Sequence, residues 1–254
     1  MTMPPFKCSS NSQLHVIAIS SVIILTALHF GISHADFEEK PLFINLALIA
    51  SIGVTLFVLA VIFQKYVGAN NIRVSFMYLF LSYVAYLQGE VTWFFYESVL
   101  GIYPYPSVAD IGFFFYYVFT AIFLISTVRC FGSLTRYDIG NAVLIISIIT
   151  SMYLVLSIEE GAETFDLLYA IPFILAASSV FAFAITALTK LRKTSIALPW
   201  IIIFASMVIT TVADIWYYTL ENVGIYTYDH IVNTLWIASD AVLVYALIVH
   251  RRII

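Results

Sequence analysis

EVTWFFYESVLGIYPYPSVADIGFFFYY, residues 90–117, packs acids and aromatics into the end of one apolar segment, a Pro-containing turn and the start of the next. A degraded copy, DIWYYTLENVGIYTYDHIVNTLWIASD, stands at 214–240. Setting GIYPY (101–105) on GIYTY (224–228), with one residue deleted before the turn, matches Glu90 to Asp214 and Glu97 to Glu221. The same alignment matches Asp110 to Asn233 and Tyr117 to Asp240. Outside these two stretches the chain reads as apolar scaffold.

The chain is 62% hydrophobic and 10% charged, where a soluble domain carries about 25% charged residues. Its apolar residues fall in runs of about 20, the length that crosses a bilayer core as a helix. Barrel strands are short and alternate in polarity, so the expected fold class is an all-α membrane protein. Eight transmembrane helices are expected, at 14–32, 42–64, 74–99, 108–128, 139–157, 167–189, 196–219 and 231–249. The connections are short, which predicts a single transmembrane domain over 1–254, with repeat halves of about 1–130 and 131–254. Four spans per half is an even number, so the halves keep one orientation, as parallel repeats do.

Charge sets the orientation. Lys7, Lys65, Arg73, Arg129, Arg136, Lys190, Arg192, Lys193, Arg251 and Arg252 fall at alternate span ends, against Lys40 alone at the opposite ends. The positive-inside rule then predicts a multi-pass cell-membrane protein with both termini cytoplasmic and acidic outer loops. A competing reading takes Lys7, the apolar run 16–28 and Ser33-His34-Ala35 as a signal peptide cleaved after Ala35, leaving seven helices. The internal repeat favours retention. The net charge of −4 is no nucleic-acid footprint, and the lipid bilayer is the partner that composition implies. Cys8 and Cys130 fall on the cytoplasmic side, where no disulfide is expected.

Residues at i, i+3, i+4 and i+7 share a helix face. Span three presents Glu90, Trp93, Phe94 and Glu97, and span seven presents Asp214, Tyr217, Tyr218 and Glu221. Spans four and eight add Asp110, Phe113 and Tyr117, and Asn233, Trp236 and Asp240. Together these residues predict an outward-facing ligand cavity lined by acids and aromatics. Its candidate binding residues are Glu90, Trp93, Phe94, Asp110, Tyr117, Asp214, Tyr217, Tyr218, Trp236 and Asp240. A carboxylate at the centre of a span costs about 2.5–3.5 kcal/mol on insertion scales, and such groups usually face an interior pathway or ligand. No Lys or Arg falls inside the spans, so the acids need neutral donors, a proton, water or an external cation. Aromatic faces beside carboxylates suit a cation.

Plainer roles compete for the same residues. Tyr103, Tyr105, Tyr226 and Tyr228 fit an interfacial belt, and Ser107-x-x-Asp110 fits a helix cap. Glu90, Asp214 and Asp240 fit interhelical hydrogen bonding, and His29 fits a packed polar residue. Enzyme signatures such as H-E-x-x-H, G-x-S-x-G and a Gly-rich phosphate loop are missing, which favours a non-enzymatic role with no catalytic residue assigned. A metal site from His34, Asp36, Asp229 and His230 has nothing in the sequence to hold it together. A retinal Schiff base needs a lysine in a late span, and spans seven and eight have none.

PYPSVADIGFFFYYVFTAIFL (104–124) resembles a P-[FY]-P-S-x-A-D motif of multi-helix membrane regions in bacteria and archaea that often precede diguanylate cyclase or sensor kinase domains. VADIWYYTLENVGIYTYDHIVNTLWIASDAVLVYALI (212–248) is similar to a later segment of the same regions. The resemblance implies a membrane sensory module and points to Pro106, Ser107, Asp110, Asp214 and Trp236. Val232-Asn233 departs from the Leu-Asp that precedes the Leu-Trp pair in that pattern. The sequence ends at HRRII, just past the last span, so signalling is expected to pass through a separate cytoplasmic or membrane partner. The expected function is a stand-alone sensor-like protein binding a small cationic or amphipathic ligand. A secondary transporter or a structural subunit of a larger membrane complex are the alternatives. No cofactor is assigned.

Overall fold

The structure is a computed structural model that describes residues 20–253, except 21–22, 25, 28, 33–34, 36–38, 67–69 and 193–196. Its named helices are α1 (Lys40–Lys65), α2 (Asn70–Phe94), α3 (Ala109–Phe131), α4 (Arg136–Glu159), α5 (Thr164–Leu191), α6 (Ala197–Asn222) and α7 (Ile231–Ile253). Their ends lie within about four residues of the expected spans, once a π turn at Phe95–Val99 is counted as the end of α2. Helical residues also occur between 20 and 32, but most of the expected span 14–32 lies outside the described residues, as does Cys8.

Six of these helices are long and apolar enough to cross a membrane, the architecture of a multi-span membrane protein. The exception is α2, which matches the others in length but carries Gln88, Glu90, Tyr78, Tyr83 and Tyr86. Flanking helices bury Tyr83, Tyr86 and Glu90, while the exposed Gln88 donates to Thr92 Oγ1 at 3.0 Å on its own helix. Packed neighbours run α1–α2–α3–α5–α6–α7 and back to α1, a closed ring of six helices, while α4 stands outside against α5 and α6. The outer position explains why only 11% of the apolar window of α4 is buried. Its Val143, Leu144 and Met152 face outward, as Phe57 does on α1 at 70% exposed. These side chains are apolar because lipid, not protein, would cover them.

Local chemistry sets the helix ends. Thr135 and Asp138 form a reciprocal capping box at the start of α4. At α3 the Asp110 carboxylate accepts the Ser107 backbone N–H at 2.7 Å, and Ser107 Oγ accepts the Ala109 N–H at 3.1 Å. The expected cap is therefore present, shifted by one residue on the hydroxyl side. Gly101 and Gly224, equivalent in the two GIY turns, both take positive φ (63° and 65°), a conformation that glycine adopts without the Cβ penalty. A π turn is one residue inserted into an α-helix. The π turn at Phe95–Val99 thus accommodates the extra residue that separates Glu97–Gly101 from Glu221–Gly224.

Contacts recur at the aligned positions. Trp93 meets Tyr103 and Phe113, and in the other half Tyr217 meets Tyr226 and Trp236. Where Tyr86 packs on Tyr116, the aligned Thr210 hydrogen-bonds Ser239 at 2.7 Å. The closest helix approach is α2 on α3, at Gly89 and Gly112. A Cβ on Gly112 would lie 2.5 Å from the Ala85 carbonyl oxygen and 2.6 Å from the Gly89 nitrogen. At the basic end of the ring, Phe76 and Trp200 pack on His250, which is bonded to the Tyr66 hydroxyl, and Phe123 and Phe204 back them.

Candidate ligand cavity between the two helix pairs

The ring encloses a cavity near the turns that follow α2 and α6. Into it α2 projects Glu90 and Trp93, α3 projects Asp110 and Tyr117, α6 projects Asp214, Tyr217 and Tyr218, and α7 projects Trp236. Two expected lining residues are not there. Phe94 stands one residue beyond Trp93, off the lining face of α2, and Asp240 lies deeper, one turn past Trp236 on α7. Asp240 is buried and accepts Ser51 Oγ at 2.6 Å and the Tyr83 hydroxyl at 3.0 Å. It is a hydrogen-bonding link among α1, α2 and α7.

The remaining acids divide by their donors. Asp110, besides capping α3, accepts the Tyr169 hydroxyl of α5 at 2.8 Å. Glu97 accepts Asn45 Nδ2 at 2.6 Å and the Tyr228 hydroxyl, and Glu221 accepts the Tyr103 hydroxyl. The last two bonds cross the cavity mouth in opposite senses, each joining the turn of one half to the helix end of the other. Burial first, and then the neighbouring carboxylate, holds the phenols of Tyr103 and Tyr228 well above their ordinary range, so both stay donors. These tyrosines are more than a belt: their hydroxyls link the two turns across the mouth.

Glu90 and Asp214 are different. Each is 8% exposed. Asp214 Oδ1 accepts Trp236 Nε1 at 2.7 Å, while Oδ2 makes no close hydrogen bond among the described residues, the Tyr117 hydroxyl being the other donor that faces this carboxylate. Glu90 accepts no hydrogen bond from any described residue, and its carboxylate meets the cavity. Among the described residues no Lys, Arg or His lines the space. The walls are mostly aromatic, and the sequence reading missed Tyr86, Tyr116 and Asn45 among them. Tyr86 is one turn below Glu90 on the same face, a signal that was available. Asn45 belongs to α1, whose neighbours no local pattern reveals.

His29 packs as expected, with Nδ1 3.1 Å from Thr234 Oγ1. Of the four metal-site residues considered, His34 and Asp36 lie outside the described residues, and Asp229 pairs with Lys40 at 2.6 Å. Among the described residues no cluster of three His, Cys, Asp or Glu side chains can hold a metal.

No protein-family model matches the chain, and no curated protein or solved structure does either. The fold and cavity therefore define the class by geometry alone: a multi-span helical membrane protein with an acidic, aromatic internal cavity.

Proposed function

We propose that the protein is a sensor-like membrane receptor that binds a small cationic or amphipathic ligand in this cavity. The observation that carries the reading is the pair of carboxylates, Glu90 and Asp214, buried in the ring with fewer protein donors than the other acids around them. A buried ionisable group without a partner is costly and within a membrane usually marks a ligand or pathway. The packed side chains of Leu79, Phe123, Leu243 and Leu247, all buried, lie between the cavity and the basic end and favour binding over passage. Ligand-dependent repacking of the ring would be read at the basic ends of the helices by a cytoplasmic or membrane partner. Secondary transport remains the second reading, favoured by the recurring contacts of the two halves and by Asp240 beneath the cavity. Purified protein in proteoliposomes separates the two. A ligand that shifts the intrinsic fluorescence of Trp93 and Trp236 should bind without accumulating inside; uptake above the leak rate would replace the receptor with a transporter.

We further propose that the halves arose as a parallel duplication, with the acidic turns outside and both termini cytoplasmic. Supporting it, Lys65, Arg73, Arg129, Arg136, Lys190, Arg192 and Arg251 all belong to the end opposite the cavity mouth. In a background lacking Cys8 and Cys130, cysteines replacing Ala162 and Ile225 should react with an impermeant maleimide from outside. A cysteine replacing Ser133 should not. External labelling of position 133 with protection of the other two would invert the orientation.

A further inference from the structure

We infer that the ligand is a short α,ω-diamine, held with one ammonium group on Glu90 and the other on Asp214. The inference rests on the receptor reading and adds the ligand's charge, symmetry and size.

Charge comes from counting unmet acceptors. Of the other acids in and around the cavity, Glu97, Asp110, Glu221 and Asp240 each accept hydrogen bonds from the protein. Among the described residues Glu90 accepts none and one Asp214 oxygen makes no close hydrogen bond, although both are buried. With no basic side chain among the described residues of the walls, two cationic donors from outside would complete both carboxylates. An ammonium group offers three N–H donors and a compact charge, enough to serve one carboxylate and leave bonds for a water or hydroxyl.

Symmetry comes from the repeat. Glu90 on α2 and Asp214 on α6 occupy aligned positions, and α2 and α6 are not neighbours in the ring. Each acid lies one turn from an aromatic pair of similar geometry. Trp93 and Phe113 have centroids 6.3 Å apart at 57°, and Tyr217 and Trp236 have centroids 5.5 Å apart at 59°. Two aligned half-sites, each an acid near aromatic rings whose faces attract cations, suit a molecule that carries the same head at both ends.

Size comes from the cavity. Its volume is about 70 Å³, on the measure by which about 10–15 Å³ accommodates one water. That admits a chain of several heavy atoms and excludes a long polyamine or a lipid-sized amphiphile.

The test uses the full chain in nanodiscs and three probes of one length: 1,4-diaminobutane, 1-butylamine and 1,4-butanediol, with binding read by calorimetry. The diamine should bind at least tenfold more tightly than butylamine, and the diol not at all. Glu90→Gln and Asp214→Asn should each bring the diamine down to the level of butylamine. Butylamine binding as tightly as the diamine, or the diol binding alone, overturns the diamine but leaves the cavity a binding site. Absence of binding by all three overturns the receptor reading as well. The three-probe comparison on the unaltered protein decides the matter even if a variant fails to fold.

Discussion

Gly112→Leu should yield no monodisperse protein after extraction, whereas Gly112→Ala should yield folded protein with reduced thermal stability. The reason is the contact of α2 with α3. Any Cβ at position 112 meets the Ala85 carbonyl oxygen at 2.5 Å and the Gly89 nitrogen at 2.6 Å, and both are backbone atoms that cannot swing away. Small residues let membrane helices approach closely enough for backbone contact, and here that approach sets Glu90 beside the first turn of α3. Inserting one methyl into a close-packed contact costs about 1–3 kcal/mol. An isobutyl group forces the helices apart by far more than side-chain adjustment can absorb. Gly89→Ala should be milder, since its added Cβ meets the Phe113 ring at 2.7 Å and the nearest backbone atom only at 3.2 Å. Size-exclusion profiles and melting temperatures of the three variants check the order; a Gly112→Leu protein as stable as the parent would sink the account of this helix pair.

Neither glycine stood out in the sequence, for a physical reason. A glycine in an apolar helix can serve a kink, a close contact or nothing, and only its partner helix decides which. Span boundaries, by contrast, were legible because hydrocarbon thickness imposes a length on every crossing segment and because basic residues mark alternate ends. The ring order was not. Short connections predict antiparallel neighbours, but nothing local to residues 136–159 tells α4 to stand outside while α5 closes the ring against α3. The one polar face that α4 does bury, Tyr153 and Ser157 against Asn222 of α6, shows only in the structure.

The cavity was legible in part because a similar stretch of sequence occurs twice, at 90–117 and 214–240. Recurrence of an acid, two aromatics and a GIY turn brought Glu90, Trp93, Asp214, Tyr217 and Trp236 to attention without any knowledge of their contacts. The one-residue gap in that alignment has its counterpart in the π turn of Phe95–Val99. Hydrogen-bond supply, however, is a tertiary property. Asp110 finds Tyr169 on α5 and Glu97 finds Asn45 on α1, helices that lie far away in sequence and carry no copy of the motif. Periodicity places an acid on a face; it does not say which donor waits opposite.

Because Asp240 is fully engaged by donors and Glu90 is not, substitutions at the two should have opposite effects. Asp240→Leu should lower stability by about 1–3 kcal/mol, the cost of leaving a buried hydroxyl without its acceptor. Tyr83 is 3% exposed and donates to Asp240 at 3.0 Å, so its hydroxyl bears most of that loss. Ser51 would suffer less, because its hydroxyl also reaches the Leu48 carbonyl at 2.8 Å. Asp240→Asn keeps a carbonyl oxygen toward Tyr83 and should recover most of the stability. Both variants should still bind the diamine, because Asp240 does not line the cavity and makes no contact the ligand needs. Glu90→Gln should show the reverse pattern, with a melting temperature close to the parent and binding strongly impaired. A plot of stability against affinity for the three variants thus separates a structural carboxylate from a binding one. If Asp240→Asn abolished binding while keeping the parent's stability, Asp240 would belong to the site, and the division of these acids by their donors would be wrong.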